Sequence, residues 1–224
     1  MVYTDGMPTS DAAPGSRVER RKAQTRQKLL DAARVMLADG TAQRASVQDI
    51  TEAADVGLGS YYNHFTSKDE LFVAAVADVL EESGALLERF SSELDDPAAA
   101  FAQSVRLAIR VARNRPQLAQ ILVRHGLTYL GSDYTFAPRL LSDINAAIAA
   151  GRFKVDNPRL AVAATVGSVL GAVRMMVIDP EFAAQPVDEQ LAEQLLRMFG
   201  MPFDEARALA TTPLPDRERI EWPR

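Results

Sequence analysis

The sequence predicts an all-α protein, and three observations carry that expectation. Apolar residues recur at helical period in one segment after another, as in Leu29, Leu30, Ala33, Met36 and Leu37. Proline-marked starts punctuate the second half at Asp96-Pro97, Arg115-Pro116, Ala137-Pro138 and Asn157-Pro158. Proline at the first helical position loses no hydrogen bond, and the residue before it is pushed out of helical geometry. No run alternates β-branched with polar residues as a strand would.

Taken in order, residues 1–16 are rich in Ser, Thr, Pro, Gly and Ala without periodicity and read as a flexible tail. A first helix is expected over about 19–38, stopped by Asp39-Gly40. A short second helix starts at Ser46, whose hydroxyl caps free amides while Asp49 stands three residues on. It ends near Ala54. Another short helical segment spans about 57–64. Ser67 with Glu70 forms a capping box for a long fourth helix, whose apolar residues Phe72, Val76, Val79, Leu86 and Phe90 keep helical spacing. Further helices follow over about 97–113, 116–130, 138–150, 158–178, 187–200 and 203–210. The stretch 212–224 is Pro-rich and charged and reads as an extended tail.

With 47% hydrophobic and 25% charged residues, the 224-residue chain has the composition of an ordinary globular protein. It has no cysteine, which excludes disulfides and thiolate chemistry and fits a reducing compartment. The N-terminus lacks the charged start and apolar run of a secretory signal, so a cytoplasmic location is expected. The net charge of -5 is unevenly spread: within residues 15–30, Arg17, Arg20, Arg21, Lys22, Arg26 and Lys28 are opposed only by Glu19. A basic patch on an acidic body still meets phosphate. The stretch 160–178 has the length of a membrane span. It is heavy in Ala and Gly and interrupted by Arg174, so it reads as a helix buried on all sides, against its own core and a partner subunit.

Two histidines, His64 and His125, are too few for a metal cluster or a nucleophile relay, and no Gly-rich strand-to-helix loop suggests a nucleotide site. Neither an enzyme nor a cofactor or metal requirement is expected. The informative segment is 46–68. Two short helices joined by a tight turn and preceded by a basic helix place the second helix in the DNA major groove. In GLGSYYNH, residues 57–64, Gly57 and Gly59 allow close approach, Leu58 suits a thymine methyl, and Asn63 suits adenine. Tyr62, His64 and Lys68 offer donors to phosphates.

Residues 45–72, ASVQDITEAADVGLGSYYNHFTSKDELF, resemble the helix-turn-helix signature of the tetracycline-repressor (TetR) family of bacterial regulators. The order Tyr62-x-His64-Phe65-x-Ser67-Lys68-x-x-Leu71 is the most specific part. The resemblance implies an N-terminal three-helix DNA-binding domain, a C-terminal helical domain for ligand binding and dimerisation, and release of DNA when a small ligand enters. Carried over, it implies phosphate contacts from Tyr62, His64 and Lys68, and base reading or helix placement by Gln48, Leu58, Gly59, Ser60 and Asn63. Arg21 and Ser46 join this surface, while Tyr61 and Phe65 pack the small domain. The chain departs from the pattern at Asp55, where the turn usually has glycine, and at Gly57, where the helix usually has a Ser or Thr cap.

The domains expected are therefore 17–66 for DNA and 67–211 for ligand and dimerisation. Phe101, Val105, Ile109, Leu122, Tyr129, Phe136 and Ile144 are expected to share an interior, with His125, Tyr129, Tyr134 and Asn145 as polar anchors for an uncharged or weakly polar effector. Helices 158–178 and 187–200 are expected to join two subunits on a palindromic double-stranded operator, the second through Val187, Leu191, Leu195 and Met198. A helical small-molecule-binding or interaction protein with a non-functional DNA motif is the alternative.

Overall fold

Capping chemistry sets most helix boundaries. The computed structural model describes residues 17–91, 94–125 and 136–214. These run as α1 (Arg17–Asp39), α2 (Val47–Ala53), α3 (Leu58–Tyr62), α4 (Lys68–Ser91), α5 (Pro97–Asn114), α6 (Pro116–His125), α7 (Phe136–Ala149), α8 (Pro158–Ile178), α9 (Pro180–Ala183), α10 (Val187–Met198) and α11 (Phe203–Thr211). Among the described residues every regular element is a helix.

Asp96 and Asn157 accept from the amides of Ala98 and Leu160, and each is followed by proline at the first helical position. Asp179-Pro180 is a third such pair that the sequence reading passed over. The Asp179 carboxylate accepts from the Glu181 and Phe182 amides at 3.0 and 3.1 Å and opens the one-turn α9. Ala137-Pro138 behaves differently. α7 begins at Phe136, so Pro138 lies within the first turn, where its missing N–H costs nothing. The box at α4 is also shifted. The Glu70 amide donates to Ser67 Oγ at 3.1 Å, but the Glu70 carboxylate accepts from the Thr66 amide at 2.7 Å. The expected continuation of α6 to residue 130, both terminal tails and the side chains of Leu86 and Phe90 lie outside the described residues.

α1 packs on α4 and α6, and the core on α1–α3 takes Leu71, Ala75, Val76 and Val79 from α4 and Ile121 from α6. Gly40 ends α1 at φ +84°, its amide bonded to the Met36 carbonyl, and a Cβ there would collide with the Arg124 guanidinium of α6. A second core joins α5, α7, α8, α10 and α11, centred on Phe101, Phe153 and Phe199 with ring centroids 5.2–5.5 Å apart. Rings this deeply buried contribute about 1.5–3 kcal/mol each relative to exposure. Arg152 clamps the N-terminus of α5 to α11, with two bonds to Asp96 at 3.0 and 2.9 Å and one to Glu205 at 2.6 Å.

One expectation about the later helices needs correction, that of the α10 stripe. α8 is long and apolar enough to cross a membrane, but only 33% of its apolar window is buried within the subunit. Ala161, Val162, Thr165, Val166 and Val173 face inward, whereas Leu160, Gly167, Gly171, Met175 and Ile178 are exposed. Within a single chain one face of this helix is covered, and the other, where a partner subunit was expected, is open. The α10 stripe turns inward: Val187 and Leu195 are buried under α5 and α11, and only Met198 is exposed, at 54%.

Candidate nucleic-acid interface

α2, α3 and the turn between them form the helix-turn-helix. Ser46 caps α2 reciprocally with Asp49: the Asp49 amide donates to Ser46 Oγ at 3.1 Å, and the Ser46 amide donates to the Asp49 carboxylate at 2.8 Å. These bonds hold the Asp49 carboxyl below its usual range. The turn passes through Asp55 at φ +50°, the one non-glycine with positive φ among the described residues. A short polar side chain tolerates that conformation where most others would not. Gly57 then caps α3 through its backbone alone.

α3 has a sharp division of faces. Tyr61 and Phe65 are 0% and 2% exposed, and Tyr62 packs edge-on against Tyr61 at 5.3 Å. Burial pushes the Tyr61 hydroxyl pKa up. Leu58 and Tyr62 are 52% and 57% exposed on the opposite side, with Gly59 and Asn63 also exposed and Ser60 and His64 half-buried at the edge. A helix pinned by its aromatic side therefore offers its small, apolar and hydrogen-bonding side outward, as major-groove reading requires. The structure places Leu58, Gly59, Ser60, Tyr62, Asn63 and His64 together on α3 and just after it.

The remaining members of the predicted surface sit at its margins. Gln48 is exposed on α2, with its amide donating to Glu52 at 3.0 Å. The Ser46 hydroxyl is engaged with Asp49. Lys68 Nζ donates to the carbonyls of Gln43 and Ala45 at 3.1 and 3.2 Å, which closes the α1–α2 loop and leaves one N–H for an anion. Arg21 is exposed on α1. Two α1 cations omitted from the predicted site, Lys22 and Arg26, lie beside it. The Arg26 guanidinium stands 5.4 Å from the Phe65 ring centroid, and burial together with the charges of Lys22 and Arg26 depresses the His64 pKa. The i,i+4 spacing of Lys22 and Arg26 was the available signal.

The described members of the predicted ligand set do not form one group. Phe101, Val105 and Ile144 lie in the aromatic-centred core, while Ile109 joins Ala112, Ala119, Val173 and Val187 in a separate cluster. α5 crosses more than one neighbour, so residues on one stripe meet different helices. Leu122 is half-buried on α6, and Asn145 is exposed on α7. His125 lines a cavity of about 340 Å³ with Leu37, Lys68, Phe72 and Val76, on the side of the DNA-binding helices. Tyr129, Tyr134 and the Phe136 side chain lie outside the described residues. Among the described residues no group of three His, Cys, Asp or Glu is placed to hold a metal.

Comparison with known proteins agrees with this geometry. Residues 29–75 match the model of bacterial regulatory proteins of the tetR family. The HTH-type transcriptional repressor AcnR of Corynebacterium glutamicum is 34% identical over 92 residues, a match covering 38% of this chain and 48% of AcnR. The chain thus spans about half the length of that curated relative. The crystal structure of RolR in complex with resorcinol superposes with TM-score 0.71 at 30% identity, covering 88% of this chain and 98% of RolR. SmeT, the repressor of a Stenotrophomonas maltophilia multidrug efflux pump, shares the fold at TM-score 0.68 and 20% identity, covering 86% and 99% of the two chains. Residues 96–212, more than half of the chain, match the tetracyclin repressor-like C-terminal domain, and the chain belongs to the TetR family.

Proposed function

We propose that this chain is a cytoplasmic, ligand-responsive transcriptional repressor that binds a palindromic double-stranded operator as a homodimer. Residues 17–66 serve as the DNA-binding domain and 67–211 as the ligand and dimerisation domain. The exposed face of α3 carries this reading: Leu58, Gly59, Tyr62 and Asn63 stand outward beside the cations of α1. The exposed stripe of α8, Leu160, Gly167, Gly171, Met175 and Ile178, supports the second subunit, because small central residues let a helix approach closely. The effector is a small, weakly polar molecule held in the C-terminal domain. RolR, to which this chain is similar, was crystallised with resorcinol, a small and weakly polar molecule.

The test is a genomic selection followed by gel shift at several salt concentrations. Lys68→Ala is expected to weaken binding to every sequence and to flatten the log–log salt slope by about 0.9, one phosphate contact. A chain that selects no sequence, and whose Tyr62 and Lys68 variants keep its ligand affinity, is a binding protein with a silent motif.

pH supplies an independent check. His64 lies below the ordinary imidazole pKa because of burial and the nearby Lys22 and Arg26, so it is neutral in free protein at pH 7. A phosphate beside it favours the imidazolium, so binding takes up a proton. Operator affinity is expected to rise as pH falls from the pKa in the complex toward the lower pKa of the free protein, and to level off below that. His64→Gln should remove the slope, measured by fluorescence anisotropy from pH 8 to pH 5.

A further inference from the structure

α1 is longer than its packing requires. It begins at Arg17, but its first buried residue is Leu29, so twelve residues precede the core and none of them is buried. At 1.5 Å per residue that segment is about 18 Å long, the span of about five base pairs. Val18 is 75% exposed, so no apolar face explains the extension. Its charges are placed in relation to the reading helix. Lys28 Nζ is 3.3 Å from Asp55, in the turn before α3, and Arg26 lies over Phe65, just after α3. Side chains of α1 thus reach the residues flanking α3 on both sides, and the helix continues N-terminally through Lys22, Arg21, Arg20 and Arg17. None of these four forms an ion pair with a described residue. Arg17 repels Arg20 and Arg21 at i,i+3 and i,i+4, and Lys22 repels Arg26 at i,i+4. Such spacing weakens a solvated helix unless a polyanion neutralises it.

We propose that the N-terminal three turns of α1 form a second DNA-contacting element, in which Arg17 and Arg20 neutralise phosphates of duplex flanking the half-site read by α3. The contact is made by charge alone and carries no sequence preference. It adds affinity only when duplex extends beyond the half-site. This inference rests on the DNA-binding reading above.

The experiment uses the full chain and the operator recovered by selection, as one duplex trimmed to the protected half-sites and one with about ten more base pairs on each side, twice the reach of the segment. At about 50 mM salt the wild type is expected to bind the longer duplex at least about tenfold more tightly, with a salt slope steeper by about two. R17A/R20A should bind the trimmed duplex as the wild type does and gain nothing from the flanks, whereas R17K/R20K should keep the gain. Amides 17–24 should gain hydrogen-exchange protection on the longer duplex only. Equal binding of both duplexes by the wild type, or an undiminished flank effect in the alanine variant, overturns the inference and leaves the operator reading standing. A wild type that binds neither duplex overturns the operator reading itself.

Discussion

Asp188→Ala is expected to destabilise the fold by about 3–5 kcal/mol, the cost of leaving buried charge uncompensated. Asp188 is 3% exposed on α10, and Arg106 is 2% exposed on α5. Asp188 Oδ2 accepts from Arg110 Nε at 2.7 Å and lies 3.7 Å from Arg106 Nε, a charge contact too long for a hydrogen bond. Arg106 also pairs with Glu189 at 3.3 Å and donates to the Thr212 carbonyl at the end of α11. Its pKa is pulled down by burial, with Asp188 opposing that effect. Removing Asp188 therefore leaves two guanidiniums one turn apart on the same side of α5, with only Glu189 in answer. Urea denaturation at fixed protein concentration reads the effect, since dimerisation also shifts the midpoint. The double variant R106M/D188L should regain most of the loss, because a packed apolar pair often matches a buried ionic one. A cost below about 1 kcal/mol for Asp188→Ala would show that water reaches the network.

Gly59→Leu is expected to leave stability unchanged or raise it by up to about 0.8 kcal/mol while abolishing operator binding. A Cβ at Gly59 meets no heavy atom within 4 Å, so nothing in the subunit requires glycine there. Glycine inside a helix is a liability unless something must approach the backbone closely. The proposed docking seats this exposed turn of α3 against base edges, where a leucine side chain displaces the helix from the groove. A loss of at least about 100-fold, about 2.8 kcal/mol, is expected by anisotropy titration, with thermal unfolding unimpaired. Wild-type affinity in this variant would remove α3 from the groove and with it the assignment of Leu58 and Asn63 to base reading.

Much of the DNA-facing surface was legible because its determinants are local. The aromatic pair Tyr61 and Phe65, four residues apart, fixes which way a five-residue helix turns, and the solvent face follows from that. Asp55 in the turn was legible for the same reason, since its backbone conformation is a property of four residues. The double role of Lys68 was not. Its bonds to the carbonyls of Gln43 and Ala45 cross 25 and 23 residues of chain. The division of the expected ligand residues between two clusters was not legible for a related reason. Helical period identifies an apolar stripe such as Phe101, Val105 and Ile109, but not that its members meet different helices.

Short-range order was enough to establish an all-helical chain, most of its helix starts, the helix-turn-helix and the exposed face of α3. Caps, proline-marked starts and 3.6-residue spacing act within one or two turns, so chain order contains them. Packing decided the rest: that α10 turns its stripe inward while α8 keeps an uncovered face, that His125 faces the DNA-binding helices, and that Arg106 and Asp188 meet inside the protein. Those outcomes depend on which surfaces exclude water together. That exclusion is a property of elements distant in the chain, and no local pattern encodes it.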